Sequence, residues 1–300
     1  PSLLPFFIAT ELLGYTNIIS ILGKMLNKLM KPVFNVPGEG AFPFIMGIIS
    51  GYPVGAKIVA DFKKQGLCSD IEAERLIAFT NNSGPLFIIG TVGIGLFKDT
   101  KTGILLLITH IFACITVGIL FRWWKNSKNK RSTSFIETSN KLPSRISLSN
   151  LGEVLASSIM NSISTIFLIG GFVVLFSVVI SILNSSGCLE LISSFLSPIF
   201  KTFGIPSKYI KGIVIGLIEL TNGVCSIALI ASKNISTNII ICAFLLGFGG
   251  ISVALQVLSI TSKNGISIKP YLLGKFLQGC FAALYTYLIL NNFCFLNLDL

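Results

Sequence analysis

The chain has 300 residues, of which 52% are apolar before its 28 glycines are counted and only 12% are charged. A soluble domain uses roughly 25% charged residues, so this chain lacks the polar surface to coat a water-soluble globule. Soluble enzymes, DNA-binding modules and disordered proteins are excluded, and the length accommodates about eight stretches of bilayer-spanning size.

In chain order the apolar stretches are Leu3–Gly23, Ala41–Ala60, Leu76–Phe97, Gly103–Phe121, Ile163–Leu183, Gly212–Ala231, Asn238–Ile260 and Tyr271–Leu290. The chain begins at Pro1 and not at Met, so further sequence is expected ahead of it. The first stretch carries one acid, Glu11, with no polar neighbourhood to explain it. The turn Asn35-Val36-Pro37-Gly38-Glu39-Gly40 leads into the second stretch, where Gly51-Tyr52-Pro53-Val54-Gly55-Ala56 makes a backbone-permissive run ahead of Lys57. Lys57 is placed either to pair with Asp61 one helical turn on or to recruit an anion.

The third stretch is interrupted by Thr80-Asn81-Asn82-Ser83-Gly84-Pro85. Its arms of roughly nine and twelve residues are each about 14–18 Å long at helical rise, half the roughly 30 Å hydrocarbon core, which puts the polar break at mid-membrane. Irregular backbone at that depth must be buried in protein or line a cavity. Gly247-Phe248-Gly249-Gly250 interrupts Asn238–Ile260 in a similar way, with Ser252 and Gln256 just beyond as interhelical hydrogen-bonding groups or ligands. In the sixth stretch Glu219 stands next to Thr221 and Asn222. A charge at a helix centre costs about 2.5–3.5 kcal/mol on insertion scales, so Glu219 should face a partner, a substrate or a coupling ion.

The fourth stretch ends at Trp123 and Trp124, where interfacial aromatics belong. Of the net charge of +11, more than half comes from Arg122, Lys125, Lys128, Lys130, Arg131, Lys141 and Arg145, opposed only by Glu137. That is the signature of a cytoplasmic loop and not of a nucleic-acid surface. It divides the chain into a first membrane repeat (1–124), a basic cytoplasmic linker (125–150) and a second membrane repeat (151–300). At an offset of 165, Gly47 matches Gly212, Gly51 matches Gly216, Ala78 matches Ala243, Phe79 matches Phe244 and Gly84 matches Gly249, and Val54 becomes the counterpart of Glu219. One residue more aligns Phe6 with Phe172, Pro32 with Pro198 and Phe34 with Phe200. Such duplication in a polytopic chain points to secondary transporters.

With the linker inside, treating the two interrupted stretches as re-entrant hairpins puts thirteen loop cations inside and eight outside; treating them as crossings gives eleven and ten. The expected fold is therefore all-α, a polytopic membrane protein with inverted repeats, about six crossings and two re-entrant broken-helix hairpins. The seven cysteines show no CxxC spacing, and His110, alone mid-stretch, has no partner within helical reach for a zinc site or a triad. HExxH, GxSxG and P-loop patterns are missing, so catalysis and ATP-driven pumping have no machinery in view. No catalytic residue, metal or cofactor is expected, and a gradient of protons or sodium is the open possibility for coupling.

The ordered motifs Phe34-Asn35-Val36-Pro37-Gly38-Glu39-Gly40, Ser50-Gly51-Tyr52-Pro53-Val54-Gly55-Ala56-Lys57, Glu72-Ala73-Glu74-Arg75-Leu76 and Phe79-Thr80-Asn81-Asn82-Ser83-Gly84-Pro85-Leu86-Phe87 resemble the YlbJ-type sporulation integral membrane proteins, of the nucleoside-recognition (Gate) group. The resemblance covers nearly the whole chain. It implies a role in endospore formation, in the outer forespore membrane, moving dipicolinic acid toward the forespore. The Gate group is distantly similar to concentrative nucleoside transporters, whose sites combine re-entrant tips with a broken-helix glutamate. The expected binding residues are Lys57, Thr80, Asn81, Asn82, Ser83, Gly84, Glu219, Thr221, Asn222, Ser252 and Gln256, and the expected partners are a small anionic substrate and the lipid bilayer. Two rival readings are a nucleoside or other neutral-solute transporter and a non-transporting sporulation scaffold.

Overall fold

The computed structural model describes residues 3–125, 150–202, 204–232 and 235–292. The basic linker at Lys128, Lys130, Arg131, Lys141 and Arg145 lies outside the described residues, as do Lys233 and Cys294.

Among the described residues every regular element is helical. The first half runs α1 (Leu3–Gly14), α2 (Ile18–Phe34), a 3-10 turn (Gly38–Gly40), α3 (Ala41–Ser50), α4 (Val54–Lys64), α5 (Asp70–Thr80), a π-helix (Leu86–Leu96) and α6 (Thr100–Phe121). The second runs α7 (Leu151–Ser185), α8 (Cys188–Thr202), a 3-10 turn (Ser207–Tyr209), α9 (Ile210–Ile218), α10 (Leu220–Ala228), α11 (Ser236–Phe248), α12 (Gly250–Thr261) and α13 (Lys269–Asn292). The order of the longer helices repeats, with the π-helix answered by α12 and one 3-10 turn in the same place in each half; among the described residues a further 3-10 turn, Ser262–Asn264, follows α12 without a counterpart in the first half. The tertiary contacts repeat as well: α5 packs on α13 and α11 on α6, while α4 meets α12 and α10 meets the π-helix.

Local sequence accounts for the boundaries. Asn35 ends α2 in the left-handed conformation at φ 55°. A capping box starts α5, with Ser69 Oγ accepting from Glu72 N and Ser69 N donating to the Glu72 carboxylate. Asp99 starts α6 by accepting from the amides of Lys101 and Thr102. The amphipathic helices α2 and α8 each carry an internal proline, Pro32 and Pro198. Among the described residues four segments are long and apolar enough to cross a membrane, namely Thr100–Phe121, Leu151–Ser185, Ser236–Asn264 and Lys269–Asn291, and the pair α1 and α2, bent by 80°, adds a fifth if taken as one span. The protein is a polytopic, all-helical membrane protein.

Two hairpins are present, but in different segments from those expected. Gly47 on α3 faces Gly55 on α4, which makes Ala41–Lys64 an antiparallel hairpin with its tip at Gly51. In the second half Gly212 faces Ile227 and Gly216 faces Gly223, so α9 and α10 form a hairpin with its tip at Glu219 and Leu220. Each arm of nine to eleven residues is about 14–17 Å long, half a bilayer. By contrast α11 and α12 lie within one 29-residue span, Ser236–Asn264. Hydropathy reports the length of an apolar run and not its direction, so a break in such a run does not by itself mark a turning point. The repeat register shifts too: Gly47 with Gly55 corresponds to Gly216 with Gly223, one helical turn from the 165-residue alignment. The counterpart of Glu219 is accordingly the tip at Gly51, not Val54.

Candidate functional site

Each hairpin tip abuts a helix break of its own half. The Thr80 carbonyl wedges between the arms of the first hairpin: a methyl group added at Gly47 or Gly55 would lie 1.7 or 2.2 Å from its oxygen. The tip glycine, Gly51, adopts φ 83° and packs on Gly84, a conformation that L side chains rarely reach. In the second half a methyl group at Gly250 would lie 3.1 Å from the Gly216 carbonyl oxygen and 3.3 Å from Leu220 N, so the Glu219 tip packs on the α11–α12 break, where Gly249 has φ 84°. Tyr52, in the first tip, donates to the Leu246 carbonyl at 2.9 Å and joins the two halves. Two tips and two breaks thus meet inside the protein.

A buried polar cluster occupies this junction. Thr80, Asn81, Asn82 and Ser83 are each at most 1% exposed, and His110, Lys275 and Gln278 are no more exposed than that. Asn82 Nδ2 donates to the Phe79 carbonyl at 2.8 Å, leaving its Oδ1 to accept from Gln278 Nε2 at 2.8 Å and from Lys275 Nζ at 3.3 Å. Lys275 Nζ also donates to Gln278 Oε1 at 2.7 Å. His110 Nε2 lies 3.3 Å from Ser83 N and 3.3 Å from Gln278 Nε2, and accepts from the Ser83 amide. Asn81 reaches Tyr271 Oη and the Ala56 amide, both at 3.5 Å. Lys275 is the one buried lysine among the described residues, and it takes part in none of their five ion pairs. Its ammonium lies 5.7 Å from the Tyr52 ring centroid and 6.0 Å from that of Tyr271.

Of the residues marked from sequence, Thr80, Asn81, Asn82, Ser83 and Gly84 come together here. Thr80 Oγ1, His110 Nδ1, Ser252 Oγ and Gln256 Oε1 are buried without a hydrogen-bond partner, a costly condition unless a ligand or water serves them. Glu219 sits at the other tip, 2% exposed. It caps α10: its two carboxylate oxygens accept from Thr221 N at 3.0 Å and Asn222 N at 2.8 Å. Thr221 and Asn222 thereby contribute backbone, while the Asn222 amide side chain turns away to Ser177 Oγ at 2.9 Å, in a cavity of about 280 Å³ between α7 and the second hairpin. Lys57 is not in the cluster and does not pair with Asp61. It pairs with Glu11 on α1, in a separate cavity of about 200 Å³ also lined by Asp61 and Asn161, and that pairing gives the otherwise unexplained Glu11 its partner.

Tyr52, His110, Tyr271, Lys275 and Gln278 escaped the sequence reading. His110 has no partner within reach on its own helix; its partners come from Ser83 and from the other half of the chain. Lys275 did leave a trace. With Lys57, it is one of the two cations that belong to no loop in the charge count, and a lysine inside an apolar stretch is a functional signal in its own right.

Comparison with known proteins bears on this geometry. The nucleoside-recognition (Gate) family matches residues 1–122 and 166–264. A Bacillus subtilis (strain 168) protein named sporulation integral membrane protein YlbJ is 35% identical, over 96% of this chain and 73% of its own length. Among solved structures, a doubly substituted CNTnw in an outward-facing state aligns with a TM-score of 0.60 at 13% identity, covering 95% of this chain and 76% of that one. CNTnw in an inward-facing substrate-bound state aligns with a TM-score of 0.55 at 14% identity, covering 95% and 74%. At such identities the likeness is one of fold, and it extends to both halves. Matched along most of its length by a family and by a curated relative, the chain belongs to the nucleoside-recognition (Gate) family and, within it, to the YlbJ-type sporulation integral membrane proteins.

Proposed function

We propose that the protein is a secondary transporter that carries a small anion, dipicolinate, across a membrane of the sporulating cell, the outer forespore membrane. The observation that carries this reading is the meeting of two hairpin tips with two helix breaks around buried, unpartnered polar atoms. Non-helical backbone within a membrane is tolerated where it is buried in protein or lines a cavity, and half-helix ends supply amides to anionic groups. The sporulation relative and the transporter-like fold support the same reading. At the second tip each oxygen of Glu219 keeps a lone pair beyond its amide contact, which suits a co-transported proton or sodium ion.

The orientation follows from charge. With Ala41–Lys64 and Ile210–Ala228 folding back, about six crossings remain. Lys24, Lys28, Lys31, Lys63, Lys64, Arg75, Lys263 and Lys269 fall on the side of the seven linker cations, fifteen in all, and Lys98, Lys101, Lys201, Lys208, Lys211 and Lys233 fall on the other. Fifteen to six obeys the positive-inside bias better than the thirteen to eight expected from the other hairpins. This supports inverted halves and a cytoplasmic linker.

The direct test is uptake of labelled pyridine-2,6-dicarboxylate into vesicles containing the purified protein, with uridine and adenosine as competitors. Saturable uptake resistant to both nucleosides is expected. Uptake of nucleosides in its place would establish the neutral-solute reading, which the amides of Asn82 and Gln278 also suit. A scaffold would be indifferent to Asn82→Leu with Ser83→Leu. The expected result is normal insertion with spores low in dipicolinate.

A further inference from the structure

Lys275 is unusual in what surrounds it. An ammonium ion at the centre of a membrane helix costs about 2.5–3.5 kcal/mol on insertion scales and is normally paired with a carboxylate. Here α13 holds it 1% exposed with no acid in any ion pair, against two amide oxygens, Gln278 Oε1 at 2.7 Å and Asn82 Oδ1 at 3.3 Å. A lysine ammonium has three N–H donors, so one remains for a further acceptor. Two oxygens on one ammonium also mimic what a single carboxylate presents. The Tyr52 and Tyr271 rings lie 5.7 and 6.0 Å away, one in the first hairpin tip and the other one turn before Lys275 on α13, so an aromatic acid bound at the ammonium would meet aromatic walls.

We propose that Lys275 is the specificity-determining residue of the site: it selects solutes bearing a carboxylate on an aromatic ring, and Asn82 and Gln278 hold its ammonium in place until that carboxylate replaces them. The inference rests on the transporter reading only in placing the ligand on a transport path; the binding preference stands apart from it. Asn82 follows α5 at the first break and Gln278 is on α13, so release of their oxygens couples binding to the contact between the broken helix of one half and the last helix of the other. That contact has a direct structural counterpart between α11 and α6. The lysine has none: the positions 165 to 169 residues earlier on α6, Leu106 to His110, include no lysine or arginine, and their polar residues are Thr109 and His110. The two halves are therefore unequal in charge at equivalent depths.

The test is equilibrium binding to the purified full chain in lipid nanodiscs, with three probes on one ring: pyridine-2,6-dicarboxylate, and the isosteric pair pyridine-2-carboxylate and the neutral pyridine-2-carboxamide. On the unaltered protein both acids are expected to bind, and the amide at least about tenfold more weakly, as loss of a charge-assisted hydrogen bond implies. Lys275→Met is expected to weaken the acids about tenfold to hundredfold while leaving the amide unchanged, Lys275→Arg to recover part of the loss, and Lys28→Met on the surface of α2 to change nothing. Equal binding of amide and acid by the unaltered protein overturns the proposal, whatever the variants do. So does Lys275→Met that folds and binds the acids as before. Acid binding that depends on Lys275 in a protein that moves no solute across vesicles would uphold the proposal and remove the transporter reading. Nucleoside uptake indifferent to Lys275→Met would do the reverse.

Discussion

Glu219 accepts a backbone N–H on each carboxylate oxygen, and that geometry decides what an amide does in its place. Gln in a Glu219→Gln variant can serve one N–H and must turn its own donor toward the other, leaving a buried group unsatisfied at about 1–3 kcal/mol. Thermal or denaturant unfolding in detergent is expected to show a loss of that size, and uptake is expected to lose its dependence on the coupling gradient. Full stability with unchanged gradient dependence would show that Glu219 neither caps α10 as described nor carries the ion. The same bookkeeping applies to Arg75. Its guanidinium donates to the carbonyls of Asn35 at 2.8 Å and of Trp124 at 3.1 and 2.8 Å, tying α5 to the ends of α2 and α6. Arg75→Ala removes three charge-assisted bonds and is expected to destabilise by about 3 kcal/mol or more, measured as a shift of the unfolding midpoint.

At the scale of elements the hairpins depend on backbone contact. A methyl group at Gly223 would lie 2.0 Å from Gly216 Cα, and one at Gly47 lies 1.7 Å from the Thr80 oxygen, both against backbone that cannot rotate away. Gly223→Val and Gly47→Val are expected to cost about 3 kcal/mol or more by overpacking, with loss of folded protein in membranes. Gly14→Ala, with nothing within 4 Å, is expected to stay within about 0.5 kcal/mol. The glycine alignment at an offset of 165 falls one helical turn from the pairs that meet, whereas the polar run at Thr80–Pro85 was legible in the sequence. What folds back was not, because Gly51-Tyr52-Pro53 and Glu219 interrupt their stretches with too few polar residues to stand out, while Asn81–Ser83 stand out without reversing the chain. Nor was the cluster legible as a whole: His110, Lys275 and Gln278 are single polar residues in long apolar runs, far apart in sequence, and only the packing of α13 on α5 and α6 brings them to Asn82.

For the whole molecule the two possible hairpin assignments predict different sides for the same loops. With Ala41–Lys64 folding back and residues 70–96 crossing, Lys64 and Lys98 lie on opposite faces of the membrane; with 76–97 folding back they lie on the same face. Lys64→Cys and Lys98→Cys, each in a chain stripped of its native cysteines, are expected to react with an impermeant maleimide from opposite sides of oriented vesicles. Reaction from one side for both would show that residues 76–97 fold back instead. In the proposed transporter one buried site, made where tips and breaks meet, is opened to each side in turn. Counterflow measures this directly: vesicles preloaded with unlabelled pyridine-2,6-dicarboxylate are diluted into a trace of labelled compound. A carrier exchanges one for the other, so the label should rise transiently above its equilibrium level and then fall back. Label that only climbs to equilibrium, as through a channel, or that never enters, would rule out a carrier.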